Sequence, residues 1–282
     1  MLLYKSTQGA ILLHDNNYYL LMDDWDTLVN QTDLYSHLLS TLDDNKKIGL
    51  GLAKGYIKKE LLVPIGSQEV WAAGVTYLRS LDARKDEAKD AGAADCYQRV
   101  YDAERPELFF KSLPHRVAGH GSKVNIRKDS EWNVPEPELT LYINSPGKIQ
   151  AYTIGNDMSS RSIEGENPLY LPQAKMYERS AALGPCLYIP GETISLETTI
   201  SITIKRSGVD VFDGSIQLNR MKRKLEELAE YLFRENDFKQ GCFLMTGTGI
   251  VPPNDFTLKE DDEVEISIEN IGLLSNTVAY RK

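Results

Sequence analysis

Residues 136–157 read EPELTLYINSPGKIQAYTIGND, and the two-residue alternation in this stretch decides the fold. Along an extended strand successive side chains face opposite ways. Glu136 and Glu138 therefore share one face, while Leu139, Leu141 and Ile143 share the other. Pro146-Gly147 is a strong turn signal, after which the chain returns as IQAYTIGND. A hairpin centred on that dipeptide sets Asp157 opposite Glu136 and puts Tyr152 and Ile154 with Leu139 and Leu141 on the apolar side. One β-bulge would be enough to turn Asp157 away, because a one-residue slip reverses every side chain beyond it.

Three carboxylates on one patch repel each other unless a cation or basic side chains balance them. Oxygen-only ligands favour a hard ion, so the pattern points to Mg²⁺ above all, with Mn²⁺ or Ca²⁺ as alternatives, held by Glu136, Glu138 and Asp157. The same alternation also suits an acidic, solvated face on a half-exposed hairpin.

Working outward, strands dominate from Leu108 onward: LFFKSL, KVNIRK, CLYIP, TISITIKR, DVFDGS and EVEISIEN. MKRKLEELAEYLFREN is the clear helix of this half, with Met221, Leu225, Leu228, Ala229 and Leu232 as its apolar face. The first third reads differently. AILLHDNNYYLLM predicts two short strands around an Asn-Asn turn, and Leu28, Tyr35, Leu38, Leu39 and Leu42 recur at helical spacing after it. VPIGSQ then supplies Pro and Gly before the strand-like EVWAAGVTY. The expected organisation is a small N-terminal α/β domain over residues 1–67 and a larger one over 68–282, in an α+β, β-rich class. Residues 80–104 are charged and alanine-rich, which predicts a solvated helix pair or a cover over a site, and residues 162–175 form a polar, Pro-punctuated stretch that can close over a ligand or stand as an ordered loop.

A net charge of −9 disfavours nucleic acid and anionic membrane surfaces as partners. No stretch approaches the roughly 20 apolar residues of a membrane helix, and the N-terminus lacks the order of a signal peptide, so a cytoplasmic protein is expected. Cys96, Cys186 and Cys242 lie far apart with no C-x-x-C pair, against a disulfide framework or a zinc knuckle.

The segments FFKSLPHRVAGHG, EPELTLYIN, AYTIGNDMSSR, ALGP and TGTGIVP resemble, in order and spacing, the signature blocks of the fumarylacetoacetate hydrolase superfamily over about residues 69 to 281. The resemblance implies that superfamily's C-terminal β fold, a divalent metal, usually Mg²⁺, on Glu136, Glu138 and Asp157, and a homo-oligomer, dimer or tetramer. RVYDAERPELFFK, SEWNVPEPEL, ENPLYLPQAK and NRMKRK look most like its 2-keto-3-deoxy-D-arabinonate dehydratase subgroup. Those enzymes remove water from a 2-oxo-3-deoxypentonate, giving 2,5-dioxopentanoate. The C–C bond hydrolases of the superfamily usually carry N-Y-x-x-H; here Thr76-Tyr77-Leu78-Arg79-Ser80 stands in its place, so the water-activating His is replaced by Ser80. Ser162 stands where many members have an acid after the Arg corresponding to Arg161.

What the resemblance implies for the reaction is a 2-oxo acid chelated to the metal, with Lys175 as candidate base and Glu107 as candidate acid. Gly247 and Thr248, in the small-residue segment TGTGIVP, are expected to cradle a substrate carboxylate, and Lys111, Tyr77 and Arg79 to contact metal-side carboxylates or substrate. His115 and His120, in a Gly-rich turn, are given no catalytic role. Two other readings remain: a C–C hydrolase or decarboxylase of a 2-oxo acid using the same metal, and a ligand-binding relative without turnover.

Overall fold

The computed structural model describes residues 1–43, 46–78 and 94–282. The hairpin is at its centre. Pro137–Ile143 and Ile149–Asp157 pair antiparallel, with Leu139 opposite Ile154, Leu141 opposite Tyr152 and Pro137 opposite Asn156, and the Asp157 N–H donates to the Glu136 carbonyl at 3.0 Å. The expected register is therefore present. It is reached through a bulge: Ile143 pairs with Ile149 and Tyr142 with Ala151, which leaves Gln150 as the extra residue. The turn closes with the Asn144 N–H on the Lys148 carbonyl, a pairing one residue out of step with the rest of the ladder. The bulge restores the step, so here it sets Asp157 on the acidic face instead of turning it away.

Among the described residues the hairpin lies inside an eleven-stranded sheet. Its neighbours are Ala181–Tyr188 beside Ile149–Asp157 and Cys242–Met245 beside Pro137–Ile143; beyond the latter come Glu69–Gly74 and Glu107–Ser112. Beyond Ala181–Tyr188 the sheet continues into Leu2–Ser6, Gly9–His14, Asn17–Leu21 and Lys47–Ile48, so the N-terminal strands extend the same sheet. A second sheet of five strands, Val209–Gln217, Thr199–Arg206, Glu263–Ile268, Gly272–Tyr280 and Lys123–Ile126, supplies the other layer.

Both faces of the central hairpin are covered. Leu139, Leu141, Ile143, Tyr152 and Ile154 share one core with Ile202, Ile266 and Leu274 of the second sheet and with Leu225, Leu228, Ala229 and Leu232 of the helix Leu225–Phe233. Tyr142 and Ala151 share another core with Leu3, Leu12, Leu28, Leu34 and Leu38. The acids thus stand in the interior, which removes the solvated-face alternative: Glu136 is 4% exposed and Glu138 and Asp157 are 1% each.

Several local expectations change. The first hairpin turns at Asp15-Asn16, both at positive φ (46° and 61°), with His14 opposite Asn17, so the turn is one residue earlier than the Asn-Asn pair. Two consecutive left-handed residues suit a two-residue hairpin loop, and Asp and Asn tolerate that region. The single predicted helix is two, Trp25–Val29 and Leu34–Ser40, each begun by an Asp cap: Asp24 accepts from the Thr27 N–H and Asp33 from the Ser36 N–H, both at 3.0 Å. Asn30, at the break, docks on the central hairpin's turn by accepting from the Ser145 N–H at 2.8 Å. Leu39 is exposed as a result, and Met221 lies outside the later helix, bridging to Tyr77. Of residues 80–104 the structure describes only the part from Ala94, a helix over Ala94–Asp102; the rest of the predicted helix pair lies outside the described residues.

Gly155 pairs with Glu138 across the hairpin and lies diagonal to Thr140, so that a Cβ would stand 2.2 Å from Thr140 Oγ1 and 3.3 Å from Met245 Cε. Gly155→Ala is expected to destabilise the fold by about 1–3 kcal/mol through overpacking, read from the urea midpoint at unchanged slope.

Candidate metal centre

Glu136, Glu138 and Asp157 each offer a carboxylate oxygen within 4.8 Å of the others. Three buried anions at this distance need compensation, and three buried cations from three other segments supply part of it. Lys175 ends the short helix Leu171–Lys175 and donates to Glu136 Oε2 at 2.8 Å, Asp157 Oδ2 at 3.1 Å and Ser159 Oγ at 2.5 Å. Arg161 opens the helix Arg161–Glu166 and donates to Glu136 Oε1 at 2.8 Å. Lys111, from the strand Glu107–Ser112, pairs with Asp157 Oδ1 and donates to the Met158 carbonyl at 3.0 Å and the Lys175 carbonyl at 2.5 Å. Two backbone hydrogen bonds and one ion pair thus hold its ammonium group inside the protein, tying the strand, the hairpin end and the Lys175 helix together.

Glu138 is treated differently. It accepts the Gly247 N–H at 2.6 Å and, among the described residues, makes no ion pair. Burial, followed by the neighbouring charges of Asp157 and Glu136, pushes its carboxyl well above the ordinary glutamate range. Burial also opposes ionisation of Asp157, but the Lys111 and Lys175 ammonium groups outweigh it and hold that carboxyl below its ordinary value. A buried carboxylate facing two others, with one N–H as partner, is what a hard divalent cation satisfies, and the all-oxygen donor set fits Mg²⁺. The residues present fit the ion.

Gly247 holds its N–H on Glu138 in a left-handed conformation, φ 91°, with Thr76 Oγ1 only 2.1 Å from where a Cβ would be; Thr76 Oγ1 in turn donates to the Thr246 carbonyl at 2.7 Å. Glycine is required there on both counts. Thr248 lines the same small cavity, with its hydroxyl within 3.2 Å of the Ile250 backbone N–H and carbonyl. The cavity is lined by Gly74, Val75, Phe109, Gly247 and Thr248 together with Glu136, Asp157, Arg161 and Lys175. Val75 is buried at φ 53°, a costly conformation for a β-branched residue and one placed directly at the cavity wall. Tyr77 is buried, and burial followed by the charge of Glu138 raises its hydroxyl's pKa. Glu107 begins its strand opposite Gly74, a cavity-lining residue, with its carboxylate over the Gly74 Cα. Arg79 and Ser80 lie outside the described residues.

Other features were less legible. The stretch 162–175 is largely helical, with the 3-10 turn Pro168–Tyr170 between two short α-helices, and Arg161, just before it, and Lys175, at its end, meet the acids. Ser162 has a structural part: its Oγ accepts the Trp132 N–H at 2.9 Å and the Glu131 N–H at 3.2 Å, clamping the segment before Glu136. Ser159, Arg161, Val75 and a buried Glu164 were not singled out from sequence, although the first two sit inside the motif AYTIGNDMSSR. His120 is structural, its Nδ1 accepting the Ser275 N–H at 3.1 Å. A wide cleft lies at the turn end of the central hairpin, lined by Lys148 and Phe233 and by none of the three acids.

Residues 69–279 match the fumarylacetoacetate (FAA) hydrolase C-terminal family, and the chain belongs to that family. Its α+β, β-rich architecture is of that type. Within it, the chain is 46% identical over 224 residues to a protein of Haloferax volcanii described as a probable 2-keto-3-deoxyxylonate dehydratase, covering 79% of this chain and 76% of the relative. It is also 46% identical over 223 residues to the 2-dehydro-3-deoxy-D-arabinonate dehydratase of Saccharolobus solfataricus, covering 78% and 74%. A solved structure of a 2-keto-3-deoxy-D-arabinonate dehydratase complexed with magnesium and 2,5-dioxopentanoate superposes with a TM-score of 0.85 at 37% identity, covering 100% of this chain and 99% of that one.

The carboxyl shifts give opposite pH dependences in separate windows. Asp157 contributes stability that is present above its unfolded value of 3.8 and is lost as pH falls through its depressed folded value. Glu138 keeps its proton in the folded state after the unfolded chain has released it at 4.5, so metal-free protein is expected to lose stability as pH rises from there towards the raised folded value. Urea unfolding in EDTA across this range should show the decline, and Glu138→Gln should flatten it.

Proposed function

We propose that the chain is a Mg²⁺-dependent dehydratase that converts a 2-oxo-3-deoxypentonate, the common product of D-arabinonate and D-xylonate breakdown, to 2,5-dioxopentanoate. The observation that carries the reading is the buried Glu136, Glu138 and Asp157 cluster with Lys175 against it, in a chain 46% identical to two named dehydratases over more than three quarters of its length.

Bound Mg²⁺ supplies Lewis-acid polarisation of the 2-keto group, which acidifies the hydrogens on carbon 3. Glu136, Glu138 and Asp157 hold the ion, and Lys111 and Arg161 fix two of them in place. Acting from its unprotonated amine form, Lys175 takes a proton from carbon 3, and Glu107 gives one to the hydroxyl leaving carbon 4, so that one water departs and carbons 3 and 4 become doubly bonded. Transfer of a proton from carbon 5 to carbon 3 yields the terminal enol, which becomes the aldehyde. Thr248 contacts the substrate carboxylate beside Gly247, whose N–H is already taken by Glu138 and whose missing side chain leaves room for it, with Tyr77 and, by the family resemblance, Arg79 as substrate contacts. Every one of these residues falls within 68–282, the segment read as the catalytic domain, with 1–67 as the small N-terminal domain. The reading carries with it a cytoplasmic homo-oligomer, dimer or tetramer. The replacement of the hydrolase His by Ser80 weighs against C–C bond hydrolysis.

Purified protein with Mg²⁺ is to be incubated separately with 2-oxo-3-deoxypentonate, fumarylpyruvate and oxaloacetate, and the products identified by mass. Loss of one water from the pentonate alone is expected; cleavage of fumarylpyruvate would sink the reading. Glu138→Ala is expected to remain folded yet lose metal-dependent turnover by at least ~100-fold. Its urea midpoint should also stop responding to Mg²⁺, whereas the parent protein's rises with the ion.

A further inference from the structure

One cavity-lining residue has an identity its backbone does not require. Gly74 ends the strand Glu69–Gly74 and pairs with Glu107 across the antiparallel ladder. It is not among the glycines at positive φ, so conformational freedom does not account for glycine here. Space does. A Cβ on residue 74 would stand 2.1 Å from Glu107 Oε2, 2.6 Å from Glu107 Cδ and 3.2 Å from Glu107 Oε1. All three atoms of the carboxylate therefore crowd the one position that any other residue would fill. Glu107 Oε2 is buried there, and Gly74 lines the cavity with Glu136, Asp157 and Lys175. The next residue, Val75, turns into the left-handed region, so the strand stops at this point.

We propose that Gly74 is a positioning residue for Glu107: the missing side chain is the slot in which the carboxylate rests. The inference builds on the role proposed above for Glu107. A methyl group at residue 74 displaces the far end of a flexible side chain, which moves by rotation about its own bonds, so the fold survives while the carboxylate leaves its place. A 1 Å misplacement of a reacting group is enough to cost about 100-fold in rate.

The test compares Gly74→Ala, Glu107→Gln and the double variant as full-length, Mg²⁺-loaded protein on 2-oxo-3-deoxypentonate, with urea unfolding of each and a crystal structure of Gly74→Ala. The expected result is a kcat for Gly74→Ala lowered about 100-fold at little changed KM, a urea midpoint near that of the parent, and a Glu107 carboxylate displaced by more than about 1 Å in the crystal. The double variant should be no slower than the slower single one, as for two changes that remove the same interaction. Parent-like kcat in Gly74→Ala beside a slow Glu107→Gln overturns the positioning role alone, as do losses that multiply in the double variant. Parent-like kcat in Glu107→Gln overturns the role of Glu107 and the slot with it. If the pentonate is not turned over, the crystal structure decides: an unmoved carboxylate refutes the slot.

Discussion

Burying three carboxylates within 4.8 Å of one another is the constraint to which the rest of this structure answers. In a low-dielectric interior such a cluster is untenable alone, because each anion raises the cost of ionising the next. The chain answers with Lys111, from a strand that precedes the hairpin, and with Arg161 and Lys175, from two short helices that follow Asp157. Glu136 and Asp157 take up this compensation directly through hydrogen-bonded ion pairs. Glu138 is left, among the described residues, with a backbone N–H, so the cluster is not a closed salt-bridge network.

Holding such a cluster demands a rigid platform, and the sheet supplies one. The hairpin that carries the acids is flanked by strands on both edges and covered by cores on both faces. Its register is enforced by burial, since slipping the first strand by one residue would put Glu138 and Thr140 where Leu139 and Leu141 fill an apolar core. The Gln150 bulge reconciles a tight turn with that register. Near the acids, backbone specialisation takes over: Gly247, left-handed and wedged against Thr76, and Val75, strained at the cavity wall, are the points where local preference yields to the site.

The legibility of individual residues followed the range of the interactions that place them. Glu136, Glu138 and Asp157 were readable because two-residue periodicity and a Pro-Gly turn are local signals that together specify which side chains converge. The helix Leu225–Phe233 was readable from its apolar spacing for the same reason, while its supposed first apolar residue, Met221, was claimed by a contact with Tyr77 far away in sequence. The helices Trp25–Val29 and Leu34–Ser40 read as one because Leu28 and Leu38 keep helical spacing across the break, and the break is made by Asn30 docking on a hairpin more than a hundred residues later. Ser162 looked like an unexplained departure until the clamp on Trp132 was visible.

By itself the sequence determined that a β-rich α+β chain would carry an acidic patch on one hairpin, which of its residues would form that patch, and, through ordered motifs, the family to which it belongs. Tertiary structure alone decided that the patch is buried, because cover comes from sheets and helices distant along the chain and leaves no periodic trace in the hairpin. It also decided which cations meet which acids, and that Glu107 lies in the space left by Gly74. Those are long-range convergences of single side chains, and no local pattern encodes them.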